Sequence, residues 1–207
     1  MKDYVPHSIS IVVPVYNAES TLPTLVERLQ AVLDSLSLPY EVLLINDGSR
    51  DSSWEVILEL VNQYPFVRGI NLMRNYGQHN AILCGIRSAH NEVIITMDDD
   101  LQHPPEEIPN FLNKLAEGYD VVYGIPRKLP HVWWRNLTSL VAKRLPSMII
   151  GLKTVREIGS YRALRTDLRR AFENYRNPGI IIDALLAWGT TRFASIPLDE
   201  APREQGA

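Results

Sequence analysis

One cysteine among 207 residues, Cys84 in the apolar stretch Ala81-Ile82-Leu83-Cys84, leaves no partner for a disulfide or a thiolate metal site. A reducing compartment suits such a chain. No run approaches the ~18 apolar residues that span a bilayer, since the longest candidate, Ile180 to Trp188, is cut by Asp183. No apolar leader follows Met1-Lys2-Asp3, so a cytoplasmic chain without a membrane span is expected. No G-x-G-x-x-G follows the first strand-like segment, which argues against a nicotinamide oxidoreductase. Internal repeats and low-complexity segments are also missing. With 45% hydrophobic and 22% charged residues, the composition is globular, which sets aside disordered and fibrous classes.

What is present is an alternation. Ile9 to Val15 is β-branched and apolar, and Leu22, Leu25, Val26, Leu29, Leu33 and Leu36 follow at helical spacing. Glu41 to Ile45 reads as the next strand. Ser52-Ser53-Trp54-Glu55 has the form of a capping box opening a helix that carries Trp54, Ile57, Leu58 and Val61 on one face. Val67 to Leu72, a helix from Gln78 to Ser88, and Val93 to Met97 continue the pattern. Pro104-Pro105-Glu106-Glu107 then opens a helix where proline is tolerated, and Val121-Val122-Tyr123 is the fifth strand. Short apolar strands alternating with amphipathic helices predict an α/β fold with a mostly parallel sheet covered by helices on both faces.

After Gly124 the pattern loosens: Arg127 to Leu152 reads as one helix or two broken near Pro146. A strand at Gly159 to Leu164, helices from Thr166 and near Ile180 to Trp188, and a strand at Arg192 to Leu198 follow. The length allows one domain, with residues 1–125 as a nucleotide-binding half and 126–207 as an acceptor-side half. Glu204-Gln205-Gly206-Ala207 finish no recognisable element, which leaves open whether the chain is cut short there. The net charge of −3 is uneven: residues 127–176 hold 12 Lys and Arg against 3 Asp and Glu, a local +9, leaving −12 elsewhere. Such a segment is either a solvated basic surface or one made for anions.

Asp98-Asp99-Asp100-Leu101-Gln102 closes a buried strand with three carboxylates that repel one another. Mg²⁺ or Mn²⁺ would neutralise them, keeping open positions for diphosphate oxygens. If the segment is extended, Asp98 and Asp100 project to one side. The rival reading is an exposed acidic turn capping the next helix. In Pro14-Val15-Tyr16-Asn17-Ala18-Glu19 an aromatic is placed to lie against a base or ribose, with Asn17 and Glu19 as hydrogen-bonding partners of the nucleoside. In Asn46-Asp47-Gly48-Ser49, Asp47 can accept from a base N–H while Gly48 permits a sharp turn; a plain Asp-Gly turn is the alternative. All three lie where doubly wound sheets bind ligands, beyond the carboxyl ends of strands.

Over nearly its whole length the sequence resembles glycosyltransferase family 2, and within it the polyprenyl-phosphate glycosyltransferases and dolichyl-phosphate mannose synthases. The resemblance rests on Ile11-Val12-Val13-Pro14-Val15-Tyr16-Asn17, Asn46-Asp47-Gly48-Ser49, Arg74-Asn75-Tyr76-Gly77-Gln78 and Met97-Asp98-Asp99-Asp100-Leu101-Gln102-His103-Pro104-Pro105-Glu106. It implies a GT-A fold, with Pro14, Tyr16, Asn17, Glu19 and Asp47 at the nucleoside. Arg74, Gly77, Asp98 and Asp99 join them in the nucleotide-sugar site, and Asp98, Asp100 and Gln102 hold the metal and diphosphate. Arg127 and Arg203 are implied as phosphate contacts and, with Asp98 and Asp100, as the catalytic set. Asn46 departs from the family's usual aspartate, and the chain stops before the serine of the segment that Arg203 opens.

The implied reaction moves a sugar, with inversion, from a nucleotide diphosphate donor, a UDP-sugar for preference, to a polyprenyl phosphate at the cytoplasmic face of the inner membrane. A phosphate monoester carries about −1.5 to −2 near neutral pH, so it attacks without a dedicated base. A hydroxyl acceptor on a polysaccharide or glycolipid would need one, with Asp99 or Asp183 as candidates. A silent nucleotide- or protein-binding relative is the remaining rival. No nucleic acid partner is expected, and the sugar and the oligomeric state stay open. His79 and His103 flank the site but read more simply as structural. Trp133-Trp134 reads as core or as membrane-interface aromatics, Asp183 as the partner of an arginine, and Arg162 and Arg165 as acceptor-facing or not.

Overall fold

A computed structural model describes residues 6–127 and 160–199. Strands β1 (Ile9–Val15), β2 (Tyr40–Asn46), β3 (Val67–Asn71), β4 (Val93–Thr96), β5 (Val121–Pro126), β6 (Arg162–Arg165) and β7 (Phe193–Leu198) form one sheet in the order β3-β2-β1-β4-β6-β5-β7. All neighbours pair in parallel except β6, which runs antiparallel between β4 and β5. Helices α1 (Leu22–Leu36), α2 (Ser53–Gln63), α3 (Gln78–Ser88), α4 (Ile108–Ala116) and α5 (Ile182–Gly189) cover it, with 3₁₀ turns at Pro105–Glu107 and Thr166–Phe172.

Side chains alternate across a strand, and here both sets are apolar. Ile9, Ile11, Val13 and Val15 of β1, with Val42 and Leu44 of β2, pack beneath α1, α2 and α4. Val12, Leu43 and Ile45 face the other way, into α3 and α5. The two-sided cover expected of continuous apolar strands is therefore present. The elements fall close to their expected positions, with two local corrections. Ser52 makes no side-chain cap for α2; Asp51 Oδ1 instead accepts from Ser53 N–H at 3.1 Å and from its hydroxyl at 2.6 Å, so the cap sits one residue upstream of the expected box. Leu58 is exposed, because one step past buried Ile57 turns a side chain about 100° off the face. The segment from Lys128 through Leu152, with Trp133 and Trp134, lies outside the described residues.

From β1 the chain runs on to β2 toward one edge of the sheet and from β4 to β5 toward the other, which opens a crevice above the carboxyl ends of this neighbouring pair. The amino edge is pinned separately. Glu41, buried at the start of β2, accepts from Ser10 Oγ at 2.7 Å, Arg68 Nη1 at 2.5 Å and the His90 N–H at 2.7 Å. Burial opposes its charge, but these donors hold its pKa below the usual carboxylate range.

Candidate active site

The crevice contains a cavity of about 320 Å³. Pro14, Val15 and Tyr16 line it from the end of β1, Asp47 from the loop after β2, and Asn75, Gly77 and Gln78 from the β3–α3 connection. Asp98, Asp99 and Asp100 complete it from the loop after β4.

The acidic segment is not extended, as the same-side argument for Asp98 and Asp100 required. The chain bends at Asp99 and Asp100 and passes through Leu101 in the left-handed region, at φ 62°. A leucine adopts that backbone only when its surroundings hold it, and Leu101 is buried in the core beneath. The bend delivers all three carboxylates to the cavity. Asp98 Oδ1 accepts from Gln78 Nε2 at 2.6 Å and its Oδ2 from Ser160 Oγ at 2.5 Å, while its own N–H donates to His103 Nδ1 at 3.0 Å. Asp99 Oδ2 accepts from the Tyr16 N–H at 3.0 Å, tying the β1 and β4 loops together. Burial, helped by the charges of Asp98 and Asp100, pushes the Asp99 carboxyl up to about 6 against that bond. Asp100 Oδ1 accepts from the Gln102 N–H at 3.1 Å.

Asp47 is buried, and its two oxygens accept from the backbone N–H groups of Tyr76 at 2.7 Å and Gly77 at 2.9 Å. A carboxylate offers about four lone-pair sites, so acceptor capacity remains toward the cavity. Gly48 has φ 68°, and a Cβ there would lie 2.5 Å from the Asn75 nitrogen and 2.7 Å from the Arg74 carbonyl carbon. The turn is therefore also the place where two loops touch. Tyr16 presents a 43% exposed ring at the rim, and Arg74 lies 4.7 Å over the ring of Tyr76.

Residues 10–172 match the family described as Glycosyl transferase family 2. The chain belongs to that family. Two relatives, both named undecaprenyl-phosphate 4-deoxy-4-formamido-L-arabinose transferase, are 36% identical: one from Serratia proteamaculans over 96% of this chain, one from an Enterobacter species over 97%. The chain spans 61% and 62% of their lengths. The crystal structure of glucosyl-3-phosphoglycerate synthase from Mycobacterium tuberculosis in complex with Mn²⁺, UDP and phosphoglyceric acid superposes with a TM-score of 0.68, at 19% identity, over 97% of this chain and 72% of that one. The fold is GT-A.

Several residues implied by resemblance to family 2 take other positions. Asn17 and Glu19 do not line the cavity. Asn17 Oδ1 accepts from the Arg50 N–H at 2.8 Å and Glu19 Oε2 from the Ser52 N–H at 2.7 Å, so they brace the β1 loop against the loop before α2. Arg74 and Gln102 likewise stand outside the lining. Arg127 leaves the end of β5, two strands from β4; it lines a separate hollow beside α4 and approaches Asp199 at 3.6 Å. Arg203 lies outside the described residues.

Asp183 is committed elsewhere. It pairs with Arg162, whose side chain is 2% exposed, and accepts from the Tyr123 hydroxyl at 2.9 Å, so it is no free base and Arg162 does not face an acceptor. The expectation that Asp183 partners an arginine holds. Arg165 approaches Asp120 at 3.7 Å, Arg170 approaches Asp167 at 3.3 Å, and Arg169 donates to the Ala89 carbonyl at 2.7 Å. The described arginines of the basic segment are thus largely occupied by the fold. His103 is structural, stacked on Tyr161 at 4.9 Å. His79 has a buried Nδ1 without a hydrogen-bond partner among the described residues, and burial followed by the charge of Arg162 lowers its pKa.

Sequence reasoning gave no role to Gln78, Asn75 or Ser160. Gln78 stands at the first position of α3 directly after Gly77, which was a usable signal. Ser160 is 62 residues from Asp98 and carried none.

Proposed function

We propose that this domain transfers a sugar from a UDP-sugar to a polyprenyl phosphate, at the cytoplasmic face of a membrane, with inversion and with Mg²⁺ or Mn²⁺ as cofactor. The observation that carries the donor half is the meeting of Asp98, Asp99 and Asp100 with Tyr16, Asp47 and the start of α3 around one cavity. Three crowded carboxylates, one of them pushed up to about 6, fit a hard divalent cation, whose preferred ligands are oxygens. Among the described residues no group of three or more acidic, histidine or cysteine side chains is arranged to hold a metal ion, so the cation would be held by one or two carboxylates, Asp98 and Asp100, with diphosphate and water filling the remainder.

In this reading the Tyr16 ring lies against the base and Asp47 accepts from it with its remaining lone pairs. The start of α3, at Gly77 and Gln78, meets the diphosphate, where a helix N-terminus favours negative charge. What the cation supplies when bound is neutralisation of charge on the departing nucleotide diphosphate. The lipid-phosphate acceptor rests on the printed names of the two relatives and on its chemistry. An anionic phosphate needs alignment and not a base, and Asp183, one of two candidate bases, is already held by Arg162 and Tyr123. No helix among the described residues is long and apolar enough to cross a membrane.

The test is a thermal-shift series with UDP, GDP and ADP, with and without Mn²⁺, followed by transfer assays on undecaprenyl phosphate and on a glycan hydroxyl acceptor. A Mn²⁺-dependent rise in melting temperature with UDP is expected, and transfer to the lipid phosphate alone. No nucleotide-dependent shift would end the donor reading; transfer only to the hydroxyl would end the acceptor reading.

A further inference from the structure

Asp98 is gripped from two flanks. Gln78 Nε2 donates to one carboxylate oxygen at 2.6 Å and Ser160 Oγ to the other at 2.5 Å, which fixes the carboxylate plane. Ser160 is itself held in place. Its carbonyl accepts from buried Thr96 Oγ1 at 2.5 Å and from Arg162 Nε at 3.4 Å. Arg162 lies opposite Thr96 across the antiparallel β4–β6 pair and is locked by Asp183 and the Tyr123 ring.

We propose that Ser160 is a positioning residue for Asp98: its hydroxyl, set by Thr96 and by buried Arg162 in its pair with Asp183, decides which lone pairs of the carboxylate face the cavity. Through this chain α5, which carries Asp183, is connected to the donor site. The inference rests on the reading above that Asp98 faces a divalent cation. Without the Ser160 hydroxyl, Oδ2 loses its donor and the carboxylate gains freedom to turn about its Cβ–Cγ bond. Losing such an outer partner typically weakens metal binding ~10–100-fold.

The experiment is a Mn²⁺ titration followed by the paramagnetic signal of the free ion, with and without UDP. It compares wild type, Ser160→Ala, Ser160→Thr and Thr96→Val, each checked for an unchanged melting profile. Ser160→Ala is expected to bind Mn²⁺ at least ~10-fold more weakly, Ser160→Thr to recover most of the loss, and Thr96→Val, which touches neither cavity nor carboxylate, to show a smaller loss. Should Ser160→Ala fail to fold, Ser160→Cys, nearly the same size with a weak donor, carries the same expectation. Equal Mn²⁺ binding by wild type and the folded Ser160 variant overturns the positioning role while leaving the donor reading intact. Wild type that binds no Mn²⁺ with UDP overturns both.

Discussion

Replacing Gly48 with alanine probes whether the proposed donor site is built by contact between the β2 and β3 loops. The added Cβ would sit 2.5 Å from the Asn75 nitrogen and 2.7 Å from the Arg74 carbonyl carbon, both backbone atoms that no rotamer change can move. Non-bonded carbon contacts prefer ~3.5 Å or more, so the 74–77 loop must retreat by roughly 1 Å. The left-handed φ of 68° adds its own cost, ~1–2 kcal/mol for an L side chain. The retreat lengthens the bonds from the Tyr76 and Gly77 N–H groups to Asp47, and a hydrogen bond to a charged group contributes ~1.5–3 kcal/mol. Losing one of the two and straining the other brings the expected destabilisation to about 4 kcal/mol, read as a fall in the urea midpoint at constant slope. UDP binding, followed by calorimetry with Mn²⁺ present, should disappear with it. Gly179, where a Cβ meets nothing within 4 Å, is the control: Gly179→Ala should stay within ~0.5 kcal/mol. A Gly48→Ala protein that loses no more than about 1 kcal/mol and binds UDP normally would refute the claim that this loop contact shapes the pocket.

Asp100→Asn should abolish turnover while leaving the melting temperature in place, and near-normal transfer by that variant would contradict a metal role for Asp100. Asp183→Ala strands the buried Arg162 charge, so a loss of ~3–5 kcal/mol in denaturant unfolding is expected; a loss under ~1 kcal/mol would show that Arg162 reaches solvent. Asp99 sets a pH dependence. Its folded pKa of about 6 lies above the ordinary 3.8, which at ~1.4 kcal/mol per tenfold is about 3 kcal/mol. That penalty is fully present above pH 6 and is relieved as pH falls toward 4, where the folded chain holds a proton that the unfolded chain has released. Mn²⁺ bound beside the carboxylate would displace that proton. Titrations at pH 6 in buffers of different ionisation enthalpy should therefore report release of about half a proton, and titrations at pH 8 almost none; equal release at both would remove Asp99 from the cation's surroundings.

The sheet was legible because both faces of its strands are covered: Ile11 to Val15 and Val42 to Ile45 read as continuous apolar runs, and burial on both sides accounts for that. The cavity was legible at one remove, since Tyr16, Asp47 and Asp98 each follow a strand and a doubly wound sheet gathers such loops. What the pattern did not carry was the use each side chain makes of its position. Asn17 and Glu19 have the donors and acceptors a nucleoside wants, yet the turn before α2 leaves the Arg50 and Ser52 amides without partners in regular structure, and these side chains, 33 residues away in the chain, accept from them. Arg162 shows the same competition from the other side. A basic segment reads as made for anions, but a guanidinium inside the fold is tolerated only beside a carboxylate, and Asp183 supplies it from a helix 21 residues away. Ser160 had no local signal, because its meaning comes from the antiparallel insertion of β6 between β4 and β5. Because that one strand runs in reverse, it begins at the carboxyl end of β4, where the Ser160 hydroxyl just ahead of it meets Asp98. The proposed donor site is thus spelled out by loops that each follow their own strand, whereas the contact of Asp98 with Ser160 depends on a pairing between residues far apart in the chain, which no local pattern encodes.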